Sequence, residues 1–364
     1  MKNIAVFFGG ESVEHDISII TGVMTLNSLD KEKYNAIPVY VSNDGEWFTG
    51  KTLNDLAQIK NLQTKKLDRV CLIGGDNSLY IIKGKKLKKL ASVSLAINCM
   101  HGERGEDGCI VGALAMSKIP FASPDILPSS VCIDKRFTKI FLKGLSVKCL
   151  PFVYAEKELE LENAVIKLGF PMIVKPNKLG SSIGIRVANN EKELKEAFLY
   201  AKSYGEGVII EKKISNFIEI NCAGYMTDEG IKVSECEQPV GRTEVLSFGD
   251  KYEAGNRVFP ADIDKRISDR IKDITKKIYL AMGAEGVIRI DFFLLDGKVI
   301  VNEINTVPGS LSYYLFGDTL KSFTIMLNEM ISRAEKKYNR SLSVNKKYNS
   351  SILSGVGYKS AKRL

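Results

Sequence analysis

Residues 287–309, VIRIDFFLLDGKVIVNEINTVPG, decide how the rest of the chain is read. Apolar residues alternate with Arg289 and Asp291, Asp296-Gly297 marks a turn, and a second apolar run delivers Glu303 and Asn305 two positions apart. Strand side chains repeat every second residue, so Glu303 and Asn305 share a face. A hairpin that sets Asp291 opposite them gathers two carboxylates and one carboxamide oxygen, hard ligands that Mg2+ takes while keeping positions for phosphate and water. A plain two-residue turn would instead pair Asp291 with Asn302 and aim it at the other face. An odd connection or a bulge near residues 295–298 restores the pairing with Glu303, and bulges occur beside active sites. The plainer alternative is a hairpin whose solvent face is acidic. Arg289 on that face, with apolar residues at the other positions, favours a half-buried polar face.

A chain of 364 residues is long for one core and implies two or three domains. No apolar run approaches the length of a membrane span. The opening MKNIAVFFGG has too short an apolar run, and no small-x-small cleavage site, for a secretory signal, and reads as a buried strand. Seven cysteines stand singly with no Cys-x-x-Cys, which argues for a reducing, cytoplasmic setting and against both a disulfide framework and a zinc site. The net charge of +9 is localised: residues 335–364 carry +7 of it, so the basic character belongs to a tail. That tail lacks interleaved aromatics beyond Tyr338, Tyr348 and Tyr358, so a nucleic-acid partner is not expected, and neither is a membrane.

Strands at 2–8 and 35–41 flank a helix that ends near Asn27 and starts at Ser12 or Asp16 as cap, a parallel crossover pattern. Residues 45–89 read as an irregular edge with strand-like pieces at 69–73 and 79–82, and 93–97 as a buried strand that empties into NCMHGERGEDG. Three prolines in IPFASPDILPSS mark a boundary after residue 123. An amphipathic helix at 131–144 carries Lys135, strands follow at 151–154 and in GFPMIVKP, and a helix at 191–204 precedes the strand GVIIEKKI. A second boundary falls after Ile214. The expected division is 1–123, 124–214, 215–335 and a basic tail at 336–364, with the last helix at 322–337.

Between two strands lies KPNKLGSSIG, residues 175–184. Small residues let backbone N–H groups converge on an anion, Ser181 and Ser182 add hydroxyls, and Lys175 adds charge. Taken alone such a segment is more often a mobile turn than a phosphate clamp. Glu211-Lys212 close the next apolar strand, where backbone groups can meet an adenine edge, and Glu219 can reach ribose hydroxyls. No Gly-Lys-Ser/Thr opens a helix, which excludes the Walker A loop.

These pieces, in this order, resemble the ATP-grasp fold and within it the D-alanine D-alanine ligase family. The resemblance spans residues 1 to about 333 and rests on GGESVEHDIS, MHGERGEDG, Asp134-Lys135, VKPNKLGSSIG, IEK followed by Glu219, the RID of 289–291 and NEINTVPG. It implies an α/β protein of three domains: a parallel N-terminal domain and two α+β domains sandwiching ATP. It further implies a ligase that activates a carboxylate as an acyl phosphate and joins two D-alanines for peptidoglycan, as a homodimer. Lys135, Lys175 and Ser182 would then meet the phosphates, residues 211–214 (Glu211, Lys212 and Ile214 among them) the adenine, and Glu219 the ribose. Asp291, Glu303 and Asn305 would hold two Mg2+ ions, with Mn2+ able to replace them. Glu14 would bind the ammonium of the first amino acid, fixed by Ser181 and near His101, and Arg289 with the Gly309 N–H would form the oxyanion site. Without the resemblance, Glu14 reads as an acidic residue at a helix start and His101 as loop surface.

Two departures bear on the second substrate. The family carries a longer loop before the segment matching VFPADID, with a Tyr that joins the pair matching Glu14 and Ser181; here KYEAGNRVFPA is short and Asn256 takes the nearest place. After Gly309 the chain reads SLSYYLF, with Tyr314, followed by Leu315, where a Ser usually binds the second carboxylate. D-serine, D-lactate or another amino acid is therefore an alternative second substrate. A non-catalytic ATP-binding protein is the rival of another class, and its sign would be a broken metal set.

Overall fold

The computed structural model describes residues 1–60, 62–240, 257–345 and 348. Seven strands open the chain: β1 (Lys2–Gly9), β2 (Tyr34–Val41), β3 (Trp47–Thr49), β4 (Asp68–Ile73), β5 (Asp76–Lys83), β6 (Lys86–Ser92) and β7 (Leu95–Asn98). They form one sheet in the order β6-β5-β4-β3-β2-β1-β7. β1 pairs in parallel with β2 and β7, and the rest is antiparallel. The edge at 45–89 is thus more regular than its composition implies. β6 has no alternation to read because almost every residue on it is exposed. Its lysines stand at the sheet margin, where charge discourages edge pairing.

Helix α1 (His15–Ser28) crosses from β1 to β2. Neither Ser12 nor Asp16 caps it. Glu14 holds the cap position without a capping bond, and the Ser12 hydroxyl accepts from the Glu14 N–H at 3.1 Å. Helix α2 (Cys109–Met116) follows the long polar loop. The helix expected over 131–144 is two: α3 (Ile126–Ile133) and α4 (Lys135–Gly144). Asp134 breaks the run by leaving helical dihedrals, and its Oδ1 accepts from Phe137 N at 3.0 Å as the cap of α4. Lys135 is thereby the first residue of a helix, held by Asn177 O, which accepts from the Lys135 N–H at 3.1 Å.

A second sheet, β10-β9-β11-β8, is built from β8 (Phe152–Ala155), β9 (Met172–Pro176), β10 (Arg186–Ala188) and β11 (Val208–Lys212). Helices α5 (Leu161–Leu168) and α6 (Glu191–Lys202) supply Leu161, Ala164, Leu194 and Phe198 to its core. A third sheet, β13-β12-β16-β17, contains β12 (Ile218–Thr227), β13 (Gly230–Val233), β16 (Val287–Leu295) and β17 (Lys298–Asn305). Two short strands, β14 (Gln238–Pro239) and β15 (Arg257–Val258), pair beside it. Helix α7 (Lys265–Ala281) buries Ile271, Ile278 and Tyr279 against the third sheet.

The last helix, α8 (Leu320–Leu342), runs past residue 337, where it was expected to end, and into the tail expected from 336. Lys337 Nζ lies 3.2 Å from Asp125, and the Tyr338 hydroxyl donates to Lys118 O at 3.0 Å, so these residues belong to the body. Phe323, Met326 and Leu327 of α8 share one core with Phe8, Val23 and Leu26 of the first sheet and α1. The C-terminal helix therefore ties the third sheet's chain back onto the N-terminal layer. No described helix is long and apolar enough to cross a membrane.

Candidate active site

The β16–β17 turn is a plain two-residue connection, with Leu295 opposite Lys298. The expected irregularity lies elsewhere. Phe292 faces Val301 while Asp291 faces Glu303, so Asn302 is the extra residue of a bulge in mid-strand. The bulge sets Asp291 opposite Glu303 and Arg289 opposite Asn305, and the apolar positions between the bulge and the turn keep their inward register. Arg289 Nε and Nη2 donate to the two Asp291 oxygens at 2.7 and 2.9 Å, and Asn305 Nδ2 donates to Asp291 Oδ2 at 3.1 Å. Among the described residues no three His, Cys, Asp or Glu side chains cluster as a metal centre. The expected set remains two carboxylates and a carboxamide on one face. These are oxygen donors that suit Mg2+.

Between the second and third sheets runs a cleft lined by Ile173, Lys175, Glu211, Ile214, Glu219 and Glu303, among others. Lys135 and Ser182 also line it, and Lys135 Nζ donates to Leu179 O at 2.6 Å. Burial holds the Lys135 amine below its usual range, with Glu303 opposing that effect. The rings of Phe217 and Phe293, 4.6 Å apart edge to face, close the apolar side.

The Glu211 side chain, grouped by sequence with the adenine contacts, lines the cleft but is engaged by two lysines. It is buried between Lys139 at 2.5 Å and Lys175 at 2.7 Å. Burial pushes its carboxyl up, but Lys175 and then Lys139 more than reverse this, to about 2. Lys212 also lines the cleft, and its Nζ donates to the Phe170 and Gly169 carbonyls at 2.7 and 3.2 Å. Lys139 was missed because a lysine in a charged helix reads as surface.

A smaller pocket joins Glu14, His101, Ser181, Arg289, Glu303, Asn305 and Gly309. Ser181 Oγ donates to Glu14 Oε1 in a short contact. Glycines permit this approach: a Cβ at Gly180 would sit 3.2 Å from both Glu14 oxygens, and one at Gly102 would sit 2.3 Å from Ser12 Oγ. His101 is buried, not loop surface. Burial, then the nearby Arg289, lowers its pKa to about 3, so the ring is neutral. Glu106 shares this pocket and was not singled out in the sequence, although MHGERGEDG contains it. Desolvation and then Glu14 raise its carboxyl to about 8, against two backbone N–H donors.

Gly309 begins a 3-10 segment to Leu315, in which Ser310, Leu311 and Ser312 hold φ near +50°. Ser310 Oγ lies 3.3 Å from Met24 Sδ, Ser312 is fully buried and Leu315 is 2% exposed. Tyr314 stands beside Arg289, and burial raises its phenol. The Arg257 guanidinium lies 5.0 Å from the Tyr314 ring centre and 3.2 Å from Glu237. Asn256 and most of the short loop at 249–258 lie outside the described residues.

Two α+β layers closing on a cleft, with paired lysines on one wall and an acid–amide face on the other, define the ATP-grasp class of carboxylate–amine ligases. Residues 3–124 match the family described as D-ala D-ala ligase N-terminus, and residues 144–334 match D-ala D-ala ligase C-terminus. A D-alanine–D-alanine ligase of Thermosipho melanesiensis is 37% identical over 347 residues, covering 93% of this chain and 95% of that protein. The crystal structure of the D-alanine–D-alanine ligase from Helicobacter pylori is similar at a TM-score of 0.74 and 30% identity, covering 91% of this chain and 98% of that one. That of VanG D-Ala:D-Ser ligase from Enterococcus faecalis reaches 0.76 at 25% identity, over 93% and 99% of the two chains. The chain belongs to the D-alanine–D-alanine ligase family.

Proposed function

We propose that this chain uses ATP to join two D-alanines into D-alanyl-D-alanine for peptidoglycan. The observation that carries the reading is the Ser181–Glu14 contact, which joins an anionic pocket to the Gly/Ser loop beside the nucleotide cleft. The Glu14 carboxylate, 5% exposed, binds the ammonium of the first amino acid. That amino acid's carboxylate oxygen attacks the γ-phosphorus of ATP, giving an acyl phosphate and ADP. Lys135 and Lys175, with Ser182, neutralise and orient the phosphates; phosphoryl transfer needs chiefly positioning and charge stabilisation. Glu219 takes the ribose, and the backbone of 211–214 takes the adenine. Asp291, Glu303 and Asn305 would hold two Mg2+ ions, for which Mn2+ could substitute, and the ions would supply Lewis-acid stabilisation to the phosphates. The amine of the second amino acid then attacks the acyl carbon and loses a proton, and phosphate leaves. Arg289 and the Gly309 N–H hold the tetrahedral oxyanion, where one such donor is worth about 3 to 4 kcal/mol of barrier. His101, neutral beside Glu14, borders the first site.

A homodimer in the cytoplasm, with bodies at 1–123, 124–214 and from 215 through the last helix, completes the proposal. Phosphate release with Mg2+ and ATP across D- and L-amino acids tests it. Release that depends on D-alanine and yields the dipeptide is expected, and its absence sinks the reading. Tyr314 beside Arg289 and Arg257 supports a second reading, a ligase whose acceptor is D-serine, D-lactate or another amino acid. The same panel separates the two.

A further inference from the structure

The 307–310 loop, which carries the Gly309 N–H, is held from outside its own sheet. Two side chains of the N-terminal body do this. Glu106 accepts from Val307 N at 3.0 Å through Oε1, and through Oε2 from Gly102 N at 2.9 Å. Thr21 on α1 accepts from Ser310 N at 3.0 Å, and the same hydroxyl lies 3.0 Å from His101 Nε2. The two ties grip the loop on either side of Pro308-Gly309 and end on the neighbouring residues His101 and Gly102. Loop dihedrals in the left-handed region at Ser310, Leu311 and Ser312 are unfavourable for residues with a Cβ, and they persist only where surroundings impose them.

We propose that Thr21 and Glu106 are positioning residues: they clamp the Val307–Ser310 segment to the His101–Gly102 segment, and so set the direction of the Gly309 N–H and the tautomer of His101. Ser310 N–H uses one Thr21 lone pair; were the other to accept from an Nε2–H, the buried hydroxyl proton would be stranded, because among the described residues Nε2 is its one acceptor, so the hydroxyl donates to Nε2. The ring proton then resides on Nδ1. Thr21 is fully buried, so no water substitutes for it. In this arrangement the oxyanion site is assembled by the N-terminal body, which also carries Glu14. First-substrate binding and stabilisation of the tetrahedral centre then share one rigid connection.

The inference rests on the proposed ligase activity for its kinetic arm, while its spectroscopic arm does not. Nitrogen-15 NMR of the whole chain labelled at histidine reads two residues, His15 and His101. The expected result is a neutral His101 protonated on Nδ1 in the wild type, with that preference lost in Thr21→Val and kept in Thr21→Ser. A proton on Nε2, or a tautomer that Thr21→Val leaves unchanged, overturns the proposal whatever the enzyme catalyses. In the kinetic arm Thr21→Val lowers kcat roughly ten- to a hundredfold, short of the full loss of an oxyanion donor. KM for ATP stays within about twofold, and Thr21→Ser restores kcat to within about threefold, as a retained hydroxyl should. Glu106→Gln keeps one acceptor oxygen but turns an amide N–H₂ toward a backbone donor, so it lowers kcat with the same unchanged KM for ATP. Wild-type kcat in both variants, or kcat falling only in step with the folded fraction measured by circular dichroism, overturns the positioning role. A wild type without ligase activity fails the functional proposal alone, because the NMR result stands by itself.

Discussion

Ser181 and Glu14, 167 residues apart in sequence, meet in a short buried hydrogen bond that joins the second body's Gly/Ser loop to the start of α1. A carboxylate accepting from a hydroxyl is a charge-assisted bond, and losing one costs about 1.5 to 3 kcal/mol. Replacing Ser181 with Ala should raise KM for the first amino acid by roughly ten- to a hundredfold. Initial rates at saturating ATP measure this, and an unchanged KM would remove Ser181 from the first-substrate site.

Glu303→Gln keeps size and hydrogen bonding but removes the charge opposite Asp291. Turnover should fall by at least about a hundredfold, since a carboxylate that would hold the cation facing the phosphates is lost, while circular dichroism stays unchanged. Phosphate release at the wild-type rate would break the metal assignment.

Tyr314→Phe removes one hydroxyl beside Arg289 and leaves the ring under Arg257. KM for the second amino acid should rise roughly tenfold, the scale of one hydrogen bond to a charged group, with KM for ATP and for the first amino acid unchanged. Equal shifts in all three would make Tyr314 a packing residue. No shift at all would remove the phenol from recognition.

Lys139→Met tests the buried Lys139–Glu211–Lys175 cluster. One cation remains to face a carboxylate that is 2% exposed, so stability should drop by about 3 kcal/mol, read from urea unfolding. A variant as stable as the wild type would show that Lys175 alone satisfies Glu211.

Acid should destabilise the fold in a defined window. The Glu211 pKa is depressed from 4.5 to about 2 in the folded state, so its contribution is present above 4.5 and is lost as pH falls toward 2. His101, lowered from 6.5 to about 3, binds its proton more readily when unfolded, so stability also declines from pH 6.5 downward. Glu106, raised from 4.5 to about 8, has the opposite sign and adds stability as pH falls through 8 toward 4.5. The urea midpoint of the wild type measured from pH 7 to pH 4 should therefore decline relative to that of a His101→Gln variant. Identical slopes would mean that His101 titrates normally.

The sequence by itself determined what depends on local periodicity and residue type. Alternation in 287–305 dictates two strands, Asp296-Gly297 dictates their turn, and the spacing of Glu303 and Asn305 dictates a shared face. The donor chemistry of the site followed from the same residues. Tertiary structure alone decided what depends on a partner strand or a distant side chain. The Asn302 bulge is invisible in composition, because pairing register is set by the two strands together, yet it alone puts Asp291 opposite Glu303. The break at Asp134 depends on Asn177, which receives the first N–H groups of α4 through its carbonyl and side chain. Lys139, Glu106 and Thr21 sit in ordinary helical or polar contexts. Their roles come from contacts made by folding alone, because burial turns a common charge or hydroxyl into a group that must find its partner.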